Sequence, residues 1–474
     1  MAMEMIIFIA LSLLLAVAPL LVKSERATHI IAGGFFLTQV AGIALILGFK
    51  HIDEVMLHIF RADTLAVLFH MLMTAVLGFS LIHSASYLKA ENVSTTSYKA
   101  YYTLLMLLAV AITCVYYSDN LAMTWVFLEL TTICSAGIIY HREFKQSLEA
   151  TWKYIFVCST GIAMAYLGIL LLSTVAEHGA LDYNALKDVI ANGNPLYLKV
   201  AFLLMVVGYS CKMEIFPLYT VGIDANYAAP APASAFISTA LVNAGFVSIF
   251  RIYDLYAASG EVFAWARHTL ILIGILSLAV GAMFLRRTNN YKRFLSYSTV
   301  ENMGIVVIGM GIGGVALWAA VLHVICHTFV KSSMFFQVGI MRHIYDSYSI
   351  NRIGNYMSIN RVGAIGFIIG TLVLLAFPPS PLFISEVMIF SEIISVGSWW
   401  LLVAMLILMC VVIYSIWSRT LRLGYHYNQD ELHLSEVNRR LSYSAAVLLI
   451  VAIAIGIWMP DVLRNAIDVI VNIG

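Results

Sequence analysis

Long apolar segments dominate the pattern of hydrophobic and polar positions along the 474-residue chain. A membrane-spanning helix needs about 20 mostly apolar residues, and fourteen segments meet that requirement. They are predicted near residues 4–22, 28–48, 62–86, 100–117, 119–140, 148–176, 196–216, 231–256, 266–285, 294–314, 316–341, 362–395, 399–418 and 442–459. The pattern therefore predicts an all-α integral membrane protein with about fourteen transmembrane helices.

Prolines interrupt two of these segments. The segment 362–395 is too long for one simple span, and Pro378 and Pro379 inside it predict a broken twelfth helix. The seventh segment runs into Pro217 and then a polar strip at 224–226. Broken helices at membrane depth are tolerated where protein or a water-filled cavity surrounds them, so two of them favour a transport path. The simpler alternative is that these prolines end helices at the membrane interface.

Composition agrees with the membrane assignment and removes several function classes. Hydrophobic residues make up 61% of the chain and charged residues 11%, with a mean hydropathy of +0.90, whereas soluble domains carry about 25% charged residues. The net charge of +1 argues against nucleic acid as a partner. Without CxxC pairs or a GxGxxG turn, we expect no disulfide framework, no iron–sulfur cluster and no other cofactor. The six cysteines all lie in apolar runs: Cys114, Cys134, Cys158, Cys211, Cys326 and Cys410.

Basic residues are distributed unevenly between the predicted loops. Most of the 27 Lys and Arg residues fall in odd-numbered loops, including Lys292, and only a few in even-numbered loops, including Arg251. The positive-inside rule then predicts cytoplasmic odd loops and both termini outside. Three lysines, Lys153, Lys212 and Lys331, fall within the helices themselves.

Ionisable residues inside the predicted spans form the main candidate site. A charged side chain at a helix centre costs roughly 2.5–3.5 kcal/mol on insertion scales, so each one needs a partner or a function. Glu129, Lys212 and Glu386 lie inside apolar runs, and Lys153 lies near a helix start. Glu214 follows Lys212 by two positions, which places the two on different faces of a continuous helix.

Three further ionisable residues share one helix face. His323, His327 and Lys331 recur every four residues, which makes a ladder about 12 Å long at 1.5 Å per residue. Buried carboxyl and ammonium groups exchange protons nearer neutral pH than exposed ones, and histidine titrates near neutrality without help. The set as a whole therefore favours a proton relay.

Two other interpretations apply to the same residues. His323 and His327 have the i,i+4 spacing of a metal-ligand pair, but the next residue in register is Lys331, and no Cys or carboxylate completes a tetrahedral set. Interhelical hydrogen bonding that fixes packing is the structural alternative. It explains one polar residue well and five sites on separate helices poorly.

Six motifs support a family resemblance over roughly residues 100–400. They are the run from Glu129 through EATWKYIF to Gly161, GYSCKMEIFP, the Asp224 to Ala235 segment DANYAAPAPASA, YKRFLSYSTVENMG, HVICHTFVK and PPSPLFISE. Together they resemble the antiporter-like subunits shared by respiratory complex I, multisubunit cation/proton antiporters and membrane-bound hydrogenases. The motifs WVFLELTT, EATWKY, STVENMG and HTFVKS look closest to the F component of hydrogenase 4.

The resemblance implies an organisation and a set of roles. It implies two related five-helix inverted repeats and three regions: helices one to three with a loop (1–100), an antiporter-like proton-channel core of helices four to twelve (101–400), and the last two helices (401–474). By the resemblance, Glu129 and Lys212 form an ion pair near an input half-channel. The central relay would be His323, His327 and Lys331, the terminal exit residue Glu386, the accessory Lys153, and the secondary residues Glu214, Asp224, Asn243 and Glu301.

Two departures from the family pattern fall between Lys212 and the histidines. Many relatives carry a lysine on the eighth helix where this chain has Asn243, and an amide cannot carry a proton at neutral pH. The loop that follows Lys212 lacks the usual Trp, Pro and two His, and reads Tyr219, Val221, Ile223 and Asn226 at those positions. We therefore expect water to complete the relay there, with a dead channel as the alternative.

The sequence as a whole predicts a proton-translocating, non-redox subunit of a redox-driven membrane complex, such as a membrane-bound hydrogenase or a complex I relative. Its expected surroundings are the prokaryotic cytoplasmic membrane, other membrane subunits, and protons or sodium ions. Whether the chain counts as part of an enzyme depends on that complex. The alternatives are a component of a sodium/proton antiporter, a component of an inorganic-carbon uptake system, and a scaffold that has lost transport.

Overall fold

A computed structural model describes residues 2–48, 55–56, 59–91, 93–141, 145–176, 180–425 and 438–472. Helices account for almost all of this part of the chain. The first ten are α1 (Ala2–Val17), α2 (Glu25–Gly48), α3 (Thr64–Ala90), α4 (Thr95–Tyr117), α5 (Leu121–Tyr140), α6 (Lys145–Ser173), α7 (Tyr183–Asn192), α8 (Pro195–Met213), α9 (Thr220–Ala228) and α10 (Ala231–Phe236). The other ten are α11 (Val242–Tyr256), α12 (Gly260–Leu285), α13 (Tyr291–Ile312), α14 (Gly314–Tyr345), α15 (Tyr356–Ile359), α16 (Arg361–Leu374), α17 (Pro381–Ser395), α18 (Trp399–Tyr425), α19 (Arg439–Ile457) and α20 (Asp461–Val471).

The predicted all-α membrane fold is confirmed. Twelve helical segments of the described chain are long and apolar enough to cross a membrane, with α10 and α11 together forming one of them. Two shorter apolar helices, Glu4–Leu20 and Arg361–Leu374, occupy the other two predicted positions. The second of these is α16, which α17 continues beyond a break.

Several small elements were not predicted from the apolar pattern. A two-stranded antiparallel hairpin joins β1 (Val55–Met56) to β2 (Phe60–Arg61). The short helices α7 and α20 lie between and after the spans, and a π-helical turn, Ile237–Leu241, joins α10 to α11. Each is too short to give a hydropathy signal of its own. The π-helical turn lies shortly before Asn243, and such turns are frequent at functional sites.

Polar side chains at the helix starts fix where several spans begin. The carboxylate of Asp63 accepts a hydrogen bond from the Ala66 backbone N–H at 2.7 Å, at the start of α3. Asn120 caps α5 and Asn290 caps α13 through their side-chain oxygens. These contacts satisfy N–H groups that have no partner inside the helix, so the short polar interruptions in the sequence define the helix boundaries.

Four spans are the most deeply buried of the described chain. The segment from α10 to α11 is completely buried over its apolar window, α13 is 94% buried, and α4 and α14 are each 83% buried. By contrast, α2 and α18 are each only 28% buried, and their exposed residues are mostly apolar, as a lipid-facing surface requires. The central position of α14 is what carries its His323–Lys331 face into the protein interior.

Small residues allow two helix pairs to approach each other closely. On α6 and α8, an added Cβ at Gly161 would meet the Gly208 carbonyl oxygen at 3.0 Å. On α12 and α13, an added Cβ at Gly274 would meet the Gly304 oxygen at 2.7 Å, and one at Gly304 would meet the Gly274 oxygen at 2.8 Å. Close backbone contact through small residues is the usual way to pack helices in a membrane, and here it fixes α8 and α13 beside the candidate site.

Both predicted helix breaks are present. The first separates α8 from α9 after Glu214, whose backbone is left-handed with φ of 58°. The second separates α16 from α17, with Ala376 left-handed at φ of 51°. The prolines predicted to cause the interruptions, Pro217 and Pro378–Pro379, lie within these breaks.

Candidate functional site

Glu129 and Lys212 lie on either side of a threonine. The Lys212 ammonium donates a hydrogen bond to Thr132 Oγ1 at 2.8 Å, and the same hydroxyl lies 3.4 Å from Glu129 Oε2. Ser159 on α6 donates to the other carboxylate oxygen of Glu129 at 3.0 Å. Lys212 is 1% exposed, and its ammonium lies 5.5 Å from the ring centroid of Tyr154. Among the described residues, Thr132 thus bridges the two groups that the resemblance assigns as an ion pair.

The break after α8 buries Glu214 beside Lys212. Because the helix ends at Met213, the two residues do not share a continuous helix, and the face argument from the sequence does not apply to them. Asn226 Nδ2 on α9 donates to Glu214 Oε1 at 3.0 Å. Gly222, also on α9, leaves room for the carboxylate, because an added Cβ there would overlap it. Asn226 and Gly222 of α9 therefore form one wall of a carboxylate site.

The histidine and lysine face of α14 is buried throughout. His323, His327 and Lys331 are each 0% exposed. His323 Nδ1 lies 2.9 Å from Ser385 Oγ on α17, and its Nε2 lies 3.1 Å from Asn302 Oδ1 on α13. The face therefore connects α13 and α17, and His323 contacts the residue directly before Glu386.

The two other members of this face differ in their contacts. Lys331 Nζ donates to the Leu295 backbone oxygen on α13 at 3.1 Å. Neither ring nitrogen of His327 has a hydrogen-bond partner among the described residues. His327 thus differs from His323 and Lys331, whose polar atoms are hydrogen-bonded to α13 and α17.

Glu301 and Glu386 form the far end of the site. Glu301, in the STVENMG motif, is 3% exposed, and its Oε2 accepts a hydrogen bond from Asn302 Nδ2 at 2.6 Å. Glu386 on α17 is 4% exposed and interacts electrostatically with Glu301. Sequence reasoning gave Glu301 only a secondary place, because its neighbours lie on other helices.

The residue that departs from the family pattern is firmly held. Asn243 Nδ2 on α11 donates to Thr328 Oγ1 on α14 at 2.9 Å. Thr328 lies between His327 and Lys331 in the sequence, and both Asn243 and Thr328 are 0% exposed. Asn243 thus joins α11 to α14 as a fixed polar contact.

Two of the predicted site residues lie at the surface instead of among the buried ionisable residues. Lys153 pairs with Glu149 on the same helix at 2.6 Å, and both side chains are more than half exposed. Asp224 pairs with Arg293 at 3.0 Å. These four residues line a polar cleft of about 500 Å³ between α6, α9 and the start of α13. Asp224 and Asn226 therefore belong to opposite sides of α9, one toward the cleft and one toward Glu214.

Two basic residues counted as loop residues are in fact buried. Lys292 is 0% exposed at the start of α13 and donates to the backbone oxygens of Tyr227 and Ala229. Arg251 on α11 is 7% exposed and pairs with Asp63 at 2.9 Å. Their assignment to loops was wrong, because both residues lie within helices. The charge of each is compensated by a partner that is distant in the sequence, which a local pattern does not reveal.

A second buried polar network was not predicted at all. His70 on α3 contacts Tyr117 through Nδ1 at 2.9 Å and Gln39 through Nε2 at 3.0 Å. Gln39 in turn donates to Ser12 on α1 at 3.0 Å. The network joins the first four helices. Among the described residues, no group of three or more His, Cys, Asp or Glu could hold a metal ion.

Comparison with known proteins places this geometry in a wider group. The family model described as NADH:quinone oxidoreductase/Mrp antiporter, TM, matches residues 118–412, a range that contains every residue of the buried row from Glu129 to Glu386. A hydrogenase-4 component F homolog from Methylacidiphilum infernorum is 29% identical over 345 residues, which cover 70% of this chain and 72% of that protein.

Two further similarities concern an antiporter protein and a solved structure. A Na⁺/H⁺ antiporter subunit from Alkalihalophilus pseudofirmus is 28% identical over 354 residues, and the match spans 70% of this chain but only 42% of that protein. A chain of the membrane-bound sulfane sulfur reductase, an archaeal respiratory membrane complex, superposes with a TM-score of 0.87 at 20% identity. That superposition covers 99% of this chain and 96% of the other, and it shows a shared fold.

Proposed function

The chain belongs to the NADH:quinone oxidoreductase/Mrp antiporter transmembrane family, and on that premise we propose that it translocates protons as a membrane subunit without redox chemistry of its own. The observation that carries the proposal is the buried row on five helices: Glu129, Lys212, Lys331, Glu301 and Glu386. Four of these five side chains are less than 5% exposed. Ionisable groups are rare inside membranes and mark ion or proton pathways.

The contacts support an order for the row. Protons reach Glu129 first, because it is the partly exposed member, and Thr132 connects it to Lys212. The α14 face carries them onward from Lys331 through His327 to His323, which contacts Ser385 beside Glu386. Hydroxyl groups and histidine rings both donate and accept protons, so water is needed only where two such groups do not touch.

Electrostatic coupling supplies the driving step. A lysine that loses the stabilising effect of a nearby carboxylate releases its proton more readily. Displacement of the Lys212 ammonium relative to Glu129 would therefore send a proton toward Lys331. The energy for such a displacement comes from neighbouring membrane subunits, which here are those of an oxidoreductase such as a membrane-bound hydrogenase or a complex I relative. We place the assembly in the prokaryotic cytoplasmic membrane, with both termini of this chain outside.

A second candidate function is sodium/proton antiport. The similarity to a Na⁺/H⁺ antiporter subunit favours it, and Glu129 with the hydroxyls of Thr132 and Ser159 offers oxygen atoms that suit a hard cation. Sodium-dependent proton release from vesicles that contain the assembly and no electron donor would support antiport over redox-driven pumping.

The test uses the complex purified through a tag on this chain and reconstituted into liposomes with a pH-sensitive dye inside. We expect Lys212→Ala and Glu386→Gln to lower donor-driven proton uptake by about 100-fold, the lower range for loss of a proton-transfer group. Lys199→Gln serves as the matched control, because Lys199 lies at the surface and pairs with the exposed Glu261. Proton uptake at the control level in both relay variants would show that this chain is a scaffold.

A further inference from the structure

Lys331 is grouped with two buried carboxylates from other parts of the fold. Lys331 is 0%, Glu214 2% and Glu301 3% exposed. Both carboxylates interact electrostatically with Lys331. Glu214 belongs to the break after α8 and Glu301 to α13, so the folded structure alone brings the three charges together. Removing several charges from water is costly unless they compensate one another. A group of three buried ionisable residues therefore indicates a functional role.

The site that holds Glu214 is specifically built for a carboxylate. Its left-handed backbone, with φ of 58°, costs a residue other than glycine roughly 1–2 kcal/mol. Asn226 donates a hydrogen bond to one carboxylate oxygen, and Gly222 leaves the volume that the carboxylate fills. A helix end that needed only a turn would be served better by glycine, so the carboxylate itself is the reason for a glutamate here.

Both Glu214 with its neighbour Asn226 and the α14 face carry buried polar atoms that the described residues leave without a hydrogen-bond partner. Glu214 Oε2, Asn226 Oδ1 and both ring nitrogens of His327 make no hydrogen bond to the described residues. Such atoms are normally satisfied by internal water. A short water path can therefore join Glu214 to Lys331 past His327, at the place where Asn243 cannot carry a proton.

Glu301 is the second carboxylate that interacts with Lys331. The Lys331 ammonium donates to the Leu295 backbone oxygen on α13, less than two helical turns before Glu301. Glu301 interacts electrostatically with Glu386 in addition to Lys331. It is therefore the carboxylate that couples to both the central lysine and the terminal carboxylate of the row.

We propose that Glu214 and Glu301 are proton carriers on either side of Lys331, a refinement that rests on the proposed function. Protonated Glu214 gives its proton to neutral Lys331, which leaves a carboxylate and an ammonium. The Lys331 ammonium then gives a proton to the Glu301 carboxylate and returns to its neutral form. Glu301 passes the proton to Glu386, and Glu214 takes up the next proton from the Glu129–Lys212 end, so each step moves one proton and every carrier returns to its starting form.

The test compares carboxylate-to-amide variants in the reconstituted complex. Glu214→Gln and Glu301→Gln keep the shape and the hydrogen-bond acceptor but cannot be deprotonated, so we expect each to lower proton uptake at least about tenfold. Glu261→Gln is the matched control, because that carboxylate is 73% exposed and pairs with Lys199. Copurification of the partner subunits checks that each variant assembles.

Infrared difference spectroscopy on turnover separates proton transfer from a structural role. We expect the band of a protonated carboxyl group to be lost in Glu214→Gln and in Glu301→Gln. If these variants transport protons like Glu261→Gln while Lys212→Ala and Glu386→Gln do not, the two carriers are wrong and the proposed function stands. If all four variants transport like the control, the proposed function fails as well.

Discussion

The two helix breaks use the same backbone device in different surroundings. Each contains a left-handed residue other than glycine, Glu214 in the first and Ala376 in the second. The first break lies in the interior, since Glu214 is 2% exposed and Ile215 is 0% exposed. The second opens to the side of the molecule, where Phe377 is 60% exposed.

The ionisable group is also placed differently at the two breaks. At the first, the left-handed residue itself carries the carboxylate, so the break and the site are inseparable. At the second, Ala376 makes the turn, and Glu386 lies inside α17, beside the Ser385 hydroxyl that contacts His323. The first, inner break is therefore part of the proposed proton path. The second, outer break instead positions α17, the helix that carries one end of that path. The exposed second break also leaves that end open to a neighbouring protein.

The largest expected difference in stability concerns the glycines that face the two breaks. An added Cβ at Gly456 on α19 would meet the Pro381 nitrogen at 2.6 Å and the Pro379 oxygen at 3.0 Å. Backbone atoms cannot move aside cheaply, so we expect Gly456→Ala to lower the free energy of unfolding by about 3 kcal/mol, the upper end for overpacking. An added Cβ at Gly222 would meet the end of the Glu214 side chain instead, so we expect Gly222→Ala to cost less stability but to lower proton uptake.

Thermal unfolding measured with a thiol-reactive dye suits this comparison, because five of the six cysteines are buried and become reactive on unfolding. Gly34→Ala is the matched control, since an added Cβ at Gly34 meets nothing within 4 Å. Equal losses in Gly456→Ala and Gly222→Ala would contradict the distinction between a backbone contact and a side-chain contact.

A smaller difference is expected for the hydroxyl groups that serve the two ends of the buried row. Thr132→Val keeps the side-chain shape but removes the partner of the buried Lys212 ammonium. Ser385→Ala removes the partner of one His323 ring nitrogen. Hydrogen bonds to charged groups contribute about 1.5–3 kcal/mol and neutral ones about 0.5–1.5 kcal/mol. We therefore expect Thr132→Val to destabilise the protein more, as measured by the same thermal unfolding assay.

Proton uptake provides the second half of that comparison. We expect Thr132→Val to lower it more than Ser385→Ala, because Thr132 bridges two ionisable groups, whereas His323 keeps its contact with Asn302. Thr160→Val is the control, since that hydroxyl is exposed and bonds to the Phe156 oxygen of its own helix. A larger loss in Ser385→Ala on both measurements would reverse the roles assigned to the two hydroxyls.

Local patterns were sufficient to predict the spans, the breaks and the relay face of α14. Apolar length, prolines and the four-residue spacing of His323, His327 and Lys331 are all properties of short segments. The rest depends on contacts between distant segments. The interaction of Glu301 with Lys331 and Glu386 requires three helices, and the burial of Arg251 requires Asp63, which lies far earlier in the chain.

Glu214 is the clearest case of a residue whose position could not be predicted from the sequence. The separation of two residues from Lys212 excludes a shared helix face only if the helix continues, and α8 ends between them at Met213. The signal that could have revealed this was Pro217, which disfavours a helix through the preceding residues. A glutamate placed just before such a stop is a candidate for a left-handed, buried position.

The smallest expected effect concerns the left-handed residues themselves. Ala376→Gly should raise the free energy of unfolding by up to about 1 kcal/mol, because glycine adopts φ of 51° without the clash of a Cβ. Glu214→Gly relieves the same clash but loses the hydrogen bond from Asn226, so its stability should stay near that of the unmodified protein while proton uptake falls. Ala364→Gly, in the regular helix α16, is the control and should destabilise by about 1 kcal/mol. Unchanged proton uptake in Glu214→Gly would contradict the distinction between the two breaks. The inner break would then serve only as a turn, without a role in proton transfer.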